Sequence, residues 1–377
     1  MRVLMVSFLI ETDPSGVVTY YRNTARDLKN KGVGVEVISS GSMPRFWRYF
    51  LGILRRIMLR IGRVPTFLYY EFAHFTSIYL AVRRARRETF DLIHAQDVVT
   101  GVAAFLALKK SIPVVLTCHF NDNPVTERKE SFGLNGHLLK QTENWYRYLF
   151  SFVKHYVFVS NYVFEKSCHL FPSDCKKIII HNTINLKRIH PKIAPLSPDH
   201  LIISNVGYVE ERKNQKLLIQ IGKELSRRGI QNFTIWIIGD GPKREEYEAL
   251  TAASHLTDRV KFLGRQVDPW QLVARSHLYV HTALNDNCPY ALLEAMAVKT
   301  PVLALPVGGI PEILPRDYGW LLSETVPALT DQIQKYFDEK ERRKLVTAQT
   351  DFIRGHLDHQ VAVRKLIDFY HETIHFQ

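Results

Sequence analysis

"LIISNVGYV", residues 201–209, is an apolar, β-branched run that restarts in mid-chain a rhythm the first half has already completed. Before it, strand-like runs followed by helical patterns stand at 2–8 (RVLMVSF), 34–40 (GVEVISS), 92–96 (LIHAQ), 113–119 (PVVLTCH) and 155–160 (HYVFVS). From it onward they recur at 232–242 (NFTIWIIGDGP), 259–264 (RVKFLG), 277–283 (HLYVHTA) and 301–306 (PVLALP). Alternation of this kind implies parallel strands with helical crossovers, buried on both faces. The first crossover is expected over 18–32 (VTYYRNTARDLKNKG), with Gly32 where a helix stop belongs. The segment 185–200 (NLKRIHPKIAPLSPDH) holds three prolines and little periodicity, so it reads as a linker. The expected fold is α/β: two doubly wound, Rossmann-like domains facing across a cleft that receives the carboxyl ends of both sets of strands. A length of 377 residues also favours two cores over one.

With 46% apolar and 23% charged residues the chain is globular. Its net charge of +13 predicts attraction to an anion: nucleic acid, lipid headgroups or a phosphorylated ligand. The four cysteines, Cys118, Cys168, Cys175 and Cys288, lack paired metal-site spacing, which points to a reducing, cytoplasmic compartment and no metal at sulfur. "MRVLMVSFLI" lacks a small-residue cleavage site and its apolar run stops at Glu11, so a buried first strand is the better reading than a signal peptide. No uncharged apolar run approaches the ~18 residues of a spanning helix.

Several loops carry candidate chemistry. Gly239 and Gly241 in "IIGDGP" follow an apolar strand, where glycine serves either a sharp turn or a close approach to a ligand. Gly16 in "DPSGVVTYY" (13–21) precedes the first long helix, whose free N–H groups suit a phosphate; G-x-G-x-x-G is absent, which weighs against a dehydrogenase. In "NDNCPYALLEAMA" (285–297), Pro289 suits the first turn of a helix, with Asp286 before it and Glu294 within it. Such a pair spans the two ends of one bound molecule, or else is a helix cap and a surface acid; spacing alone leaves both open.

The stretch 285–314 (NDNCPYALLEAMAVKTPVLALPVGGIPEIL) resembles the E-x7-E segment of the retaining, nucleotide-sugar-dependent glycosyltransferases of family 4, which have the GT-B fold. "SGVVTYYRNTARDLKNKG", "TCHF", "VFVSN", "HNTIN", "VGYVEERKN", "GDGP" and "VKFLGR" fall in that family's order, so the resemblance runs through most of the chain. It implies that Glu294 holds the ribose hydroxyls of the nucleotide and that Asp286 lies near the transferred sugar. Lys213 would neutralise the donor diphosphate, Gly16 approach it through its backbone, and His119 stand at the sugar end. Gly207, Gly308, Gly309 and the run Asn287, Cys288, Pro289 and Tyr290 would line the donor. There are departures: Asp286 is one methylene shorter than the usual glutamate, Tyr208 occupies the place of the phosphate arginine with Arg212 as its substitute, and Thr183, Asn185 and Lys299 replace a common Gly, Asp and Gly. A cation at the phosphate and an anion near the ring both favour the charge separation of glycosyl transfer. No D-x-D occurs, so metal independence is expected, and no cofactor.

Finally, "MPRFWRYFLGILRRIMLRIGRV" (43–64) holds six arginines and no acid. On a helix, Arg45, Arg48, Arg55, Arg56, Arg60 and Arg63 share one face, opposite Phe46, Trp47, Phe50, Leu51, Ile53, Leu54, Ile57, Met58 and Ile61. This suits a helix in an anionic membrane interface or one packed on its own domain. "VRRARRE" (82–88) adds four arginines, and no nucleic-acid motif accompanies the charge. The combined expectation is a retaining glycosyltransferase, peripheral on the inner face of the plasma membrane, acting on a lipid-linked or glycan acceptor in lipopolysaccharide or polysaccharide biosynthesis. Its expected domains are 1–184 for the acceptor, 201–355 for the nucleotide sugar, and a helix over 356–377 crossing back to the first. The alternative is a catalytically silent lipid- or partner-binding protein of the same fold; a sugar-nucleotide epimerase is a third.

Overall fold

The computed structural model describes residues 1–85, 89–191, 197 and 199–375. The chain forms two compact units, residues 1–181 together with 360–377, and residues 182–359. The division falls a few residues from the 184 and 355 limits read from the sequence.

In the first unit the order is β1 (Arg2–Ser7), α1 (Gly16–Asn30), β2 (Gly34–Ser39), α2 (Arg45–Ile61), α3 (Arg63–Ala85), β3 (Leu92–Ala95) and α4 (Val98–Ala107). There follow β4 (Val114–Cys118), α5 (Pro124–Phe132), α6 (Gly136–Phe150), β5 (His155–Phe158), α7 (Asn161–Ser167) and β6 (Lys176–Ile179). The strands form one parallel sheet in the order β2-β1-β3-β4-β5-β6. β3, β4 and β5 are buried along their whole length, as continuous apolar runs between helices should be. Side chains start four of the helices: Ser15 Oγ accepts from Val17 N–H at 3.2 Å for α1 and Asp97 Oδ1 from Thr100 N–H at 2.9 Å for α4, and Asn123 and Ser160 cap α5 and α7 in the same way.

The second unit runs β7 (Leu201–Val206), α8 (Lys216–Arg227), β8 (Phe233–Ile238), α9 (Arg244–Ala253), β9 (Val260–Gly264) and α10 (Trp270–Val273). It continues with β10 (Leu278–His281), α11 (Tyr290–Ala297), β11 (Val302–Ala304), α12 (Val326–Lys335) and α13 (Glu339–His356). Its sheet is also parallel, in the order β11-β10-β7-β8-β9. The strand order reverses between β1 and β3 in one sheet and between β7 and β10 in the other, so each unit has one switch point at its carboxyl edge.

The helix α14 (His359–His375) belongs, from residue 360 on, to the first unit. It buries Val363, Leu366, Phe369 and Tyr370 there. Tyr370 Oη lies 2.6 Å from Nδ1 of His94 on β3, and His94 Nε2 lies 2.7 Å from Thr117 Oγ1 on β4. Burial, then the neighbouring His119, pushes His94 down to about 3, so this fully enclosed imidazole stays neutral.

Each strand expected from the sequence is present, and each is trimmed by a residue or more. β6 went unread: "KKII" is a short edge strand whose lysines mask its pattern. The single helix expected over 43–64 is corrected to two, because Gly62, at φ +147°, ends α2 and α3 starts one residue later. Asp286 is not a helix cap, since α11 begins at Tyr290 after Pro289. Gly16 opens α1 rather than preceding it. Of the linker over 185–200, residues 192–196 and 198 lie outside the described residues, as do 86–88 of the "VRRARRE" run; Leu186–Arg188 form a short 3-10 turn.

Candidate active site

At the switch point of the second unit, the loop after β7 and the loop after β10 meet. Lys213 ends a tight turn, Glu211–Lys213, and its Nζ forms an ion pair with Asp286 Oδ2. His281, at the end of β10, approaches the same oxygen through Nε2 at 3.1 Å, and the Asn287 N–H donates to Oδ1 at 3.1 Å. Arg212 donates to the Asn285 carbonyl at 2.9 Å and to Glu210 at 2.7 Å, with Asp286 Oδ1 4.0 Å away. Burial alone would raise the Asp286 carboxyl, but Lys213 and His281 outweigh it and hold it well below the usual carboxylate range. The cluster is thus a buried, ionised aspartate locking a half-buried lysine.

Glu294 projects from α11 into surroundings of the opposite kind. Burial first, and the nearby Asp268 charge second, push its carboxyl up to about 7. Tyr279, buried on β10, has its phenol raised by burial first and also by the charges of Asp286 and Glu294. Tyr279 Oη in turn lies 3.3 Å from His281 Nδ1. Tyr279 and His281 were missed in the sequence because "LYVH" reads as plain buried strand.

The glycines serve the loops themselves. A Cβ on Gly308, at φ +58°, would lie 2.0 Å from the Asp286 carbonyl oxygen, and the Gly309 N–H donates to that oxygen at 3.0 Å. A Cβ on Gly239 would come within 1.9 Å of the Gly207 carbonyl oxygen. Gly239 and Gly308 therefore let backbone pass backbone, fixing the loops that carry Lys213 and Asp286, whereas a Cβ on Gly207 would meet only the Lys213 and Gln215 side chains at ordinary contact distance. Cys288 is buried, its carbonyl accepting from Asn182 Nδ2 at 2.7 Å and its thiol raised by burial. Pro289 and Tyr290 follow it into α11. Lys299, where glycine is common, sits just past the end of α11 at φ +61°, in the left-handed region.

Gly16 and His119 belong to the first unit, whose switch point opens into a cavity of about 290 Å³. Val17 of α1 and His119, just after β4, both line it. His119 Nε2 lies 2.9 Å from Gln96 Oε1, its ring packs edge-on to Tyr20 at 4.7 Å, and burial pushes it down to about 3. Beside the cavity, Arg128 pairs with Glu71 at 3.0 Å and donates to Tyr146 Oη at 3.1 Å. Gln96, His74, Glu127 and Arg128 were not singled out in the sequence, although "HAQD" and "TCHF" both place polar residues just past an apolar strand.

α2 has two apolar faces. Leu51 is buried with Met43, Tyr69 and Ala73, and Trp47, Leu54 and Met58 pack against them, so Trp47 is half-buried on its own unit. A second line, Phe46, Phe50, Ile53, Ile57 and Ile61, is exposed, and Val64, Leu68 and Phe72 of α3 are exposed as well. Arg45, Arg48, Arg55, Arg56 and Arg60 are exposed on the same helix. Among the described residues no helix is long and apolar enough to cross a membrane.

Two family models match in tandem: "Glycosyltransferase Family 4" over residues 14–188 and "Glycosyl transferases group 1" over 187–350. The phosphatidylinositol N-acetylglucosaminyltransferase gpi3 subunit of Schizosaccharomyces pombe is 25% identical over 319 residues, 82% of this chain and 67% of that one. The N-acetyl-α-D-glucosaminyl L-malate synthase of Bacillus anthracis is 24% identical over 322 residues, 78% and 76% of the two chains. In three dimensions, Anabaena HepE in complex with UDP and glucose superposes with a TM-score of 0.70 at 16% identity, over 98% of both chains, and so shares the GT-B fold.

Proposed function

Since this chain belongs to the glycosyltransferases of the group 1 and family 4 type, we propose that it moves a sugar, with retention, from a nucleotide-sugar donor to a lipid-linked or glycan acceptor at a membrane surface. The observation that carries the reading is the pairing of Lys213 with an ionised Asp286 in the loops after β7 and β10, with Glu294, short of counter-charge, on the helix that follows. Glu294 takes the ribose hydroxyls as hydrogen-bond donors, and Lys213, backed by Arg212, takes the diphosphate. In the transfer, the bond between the anomeric carbon and the diphosphate oxygen breaks and its electron pair leaves with the diphosphate. The acceptor hydroxyl oxygen bonds to the anomeric carbon, and its proton passes to the departing phosphate. Asp286, held as an anion, stabilises the positive charge that develops on the ring. Lys213 and Arg212 supply the cations at the phosphate, so no metal is required. The UDP seated in Anabaena HepE supports a uridine donor.

The membrane part of the reading draws on the exposed line from Phe46 to Phe72 and the arginines beside it. Apolar side chains enter the headgroup boundary while guanidiniums meet lipid phosphates, on the inner face of the plasma membrane. The acceptor named for the fission yeast relative supports a lipid-borne one here.

A thermal-shift screen of UDP-, GDP- and ADP-sugars, followed by release of free nucleotide, tests the donor reading. One donor should raise the melting temperature and turn over, and Glu294→Ala should abolish both; no response to any donor would overturn it. Flotation with anionic vesicles tests the surface, and unchanged flotation after replacing Arg55, Arg56 and Arg60 by Glu would count against it.

A further inference from the structure

We propose that the cavity in the first unit receives the acceptor as an uncharged hydroxylated ring, a sugar or cyclitol, and turns away rings that carry a phosphate or carboxylate. This rests on the glycosyl-transfer reading for the word acceptor, and on the cavity alone for the selection by charge.

The cavity lies at the carboxyl edge where β1, β3 and β4 end, the switch point of its sheet, with a volume suited to one ring and its substituents. Much of its wall is apolar, with Phe8, Leu9, Val17, Leu116 and Phe120 able to cover the C–H face of a ring. Its polar contacts come from two linked side chains. With His119 neutral and Nε2 bonded to the Gln96 carbonyl, that nitrogen carries the hydrogen and Nδ1 is left as an acceptor. Gln96 is 4% exposed and its Nε2 has no partner, a buried donor that costs stability until an oxygen reaches it. A hydroxyl, at once donor and acceptor, satisfies such a pair; a phosphate oxygen supplies no hydrogen for Nδ1.

Charge points the same way. Asp97 and Glu127 line the cavity, and Glu71 stands behind Arg128. Asp97 is committed to Thr100, and Glu127 accepts from the Asn121 N–H at 2.8 Å. Arg128 is the only lysine or arginine among the described lining residues, and its guanidinium is already shared between Glu71 and Tyr146. His74 and His119 are held neutral by burial, both down to about 3. Three carboxylates against one engaged guanidinium leave nothing to balance an incoming anion, in a protein whose overall charge is strongly positive. The phosphate of a lipid-linked acceptor therefore stays outside, and the ring alone enters.

Saturation-transfer NMR on the whole protein, without nucleotide sugar, provides the test. The probes are methyl α-D-glucopyranoside and myo-inositol against glucose 6-phosphate and L-malate. At least one neutral ring should bind about tenfold or more tighter than either anion, and Gln96→Leu, checked for an intact melting transition, should weaken that binding about tenfold. Equal or tighter binding of the anions, silence from both neutral rings, or an unaffected Gln96→Leu would overturn the proposal. Because no donor is present, failure of every nucleotide sugar to turn over would sink the transferase reading and leave the charge selection standing.

Discussion

Replacing Glu294 by glutamine should make the protein more stable, and only where the pH is high. The folded carboxyl holds its proton up to about 7 against an ordinary value of 4.5, because burial and the Asp268 charge oppose ionisation. At 1.36 kcal/mol per pH unit this is a penalty of about 3 kcal/mol once the group is ionised, a ceiling because Glu294 keeps some exposure. The sign follows from proton counting. Between 4.5 and about 7 the unfolded chain has released the proton and the folded one has not, so raising the pH favours unfolding. Thermal melts of Glu294→Gln and the parent should therefore nearly coincide at about pH 5 and separate by up to about 6–12 °C at about pH 8, taking 2–4 °C per kcal/mol. Ribose hydroxyls stabilise the charged form, so UDP binding near neutrality should release a proton, measurable by calorimetry in buffers of different ionisation heat. Parallel pH profiles for the two proteins, or binding without proton release, would refute this account of Glu294.

Further expectations come from other parts of the structure. Asp286→Asn leaves the half-buried Lys213 cation without its anion and should cost about 1–3 kcal/mol without ligand; UDP or pyrophosphate, by supplying the missing anion, should raise its melting temperature more than it does the parent's. Lys299→Gly relieves a side chain in the left-handed region at the end of α11 and should add about 1 kcal/mol in urea unfolding. Tyr370→Phe leaves His94 Nδ1 without its partner and should remove about 1–3 kcal/mol, measured the same way.

Periodicity exposed the two sheets because parallel strands buried on both faces are nearly unbroken apolar runs; β6 escaped because an edge strand can carry Lys176 and Lys177. Lys213, Asp286 and Glu294 were legible through a motif, and the ion pair between the first two was not, since it depends on how the loops after β7 and β10 converge. Gly239 is open in the sequence to a turn or a ligand approach, and Gly308 is expected at the donor through the resemblance; the structure adds that a Cβ on either would strike the chain's own backbone. The cavity residues Gln96, His74 and Arg128 come from three separate elements, and no local pattern brings them together. On the basic helix the sequence gives one apolar side where the structure has two, one sealed by α3 and one open, because a helical wheel cannot tell which neighbour arrives.

The route of α14 also has a consequence for biosynthesis. The half of the protein that leaves the ribosome first lacks Leu366, Phe369 and Tyr370 of its interior until the whole intervening unit has been translated. At about 5–20 residues per second that wait lasts roughly ten to forty seconds. During it the pocket beneath His94 stands open, and the late-made unit is the one free to finish folding early. Nascent chains paused before residue 360 should therefore offer chaperones and proteases an incomplete amino-terminal half.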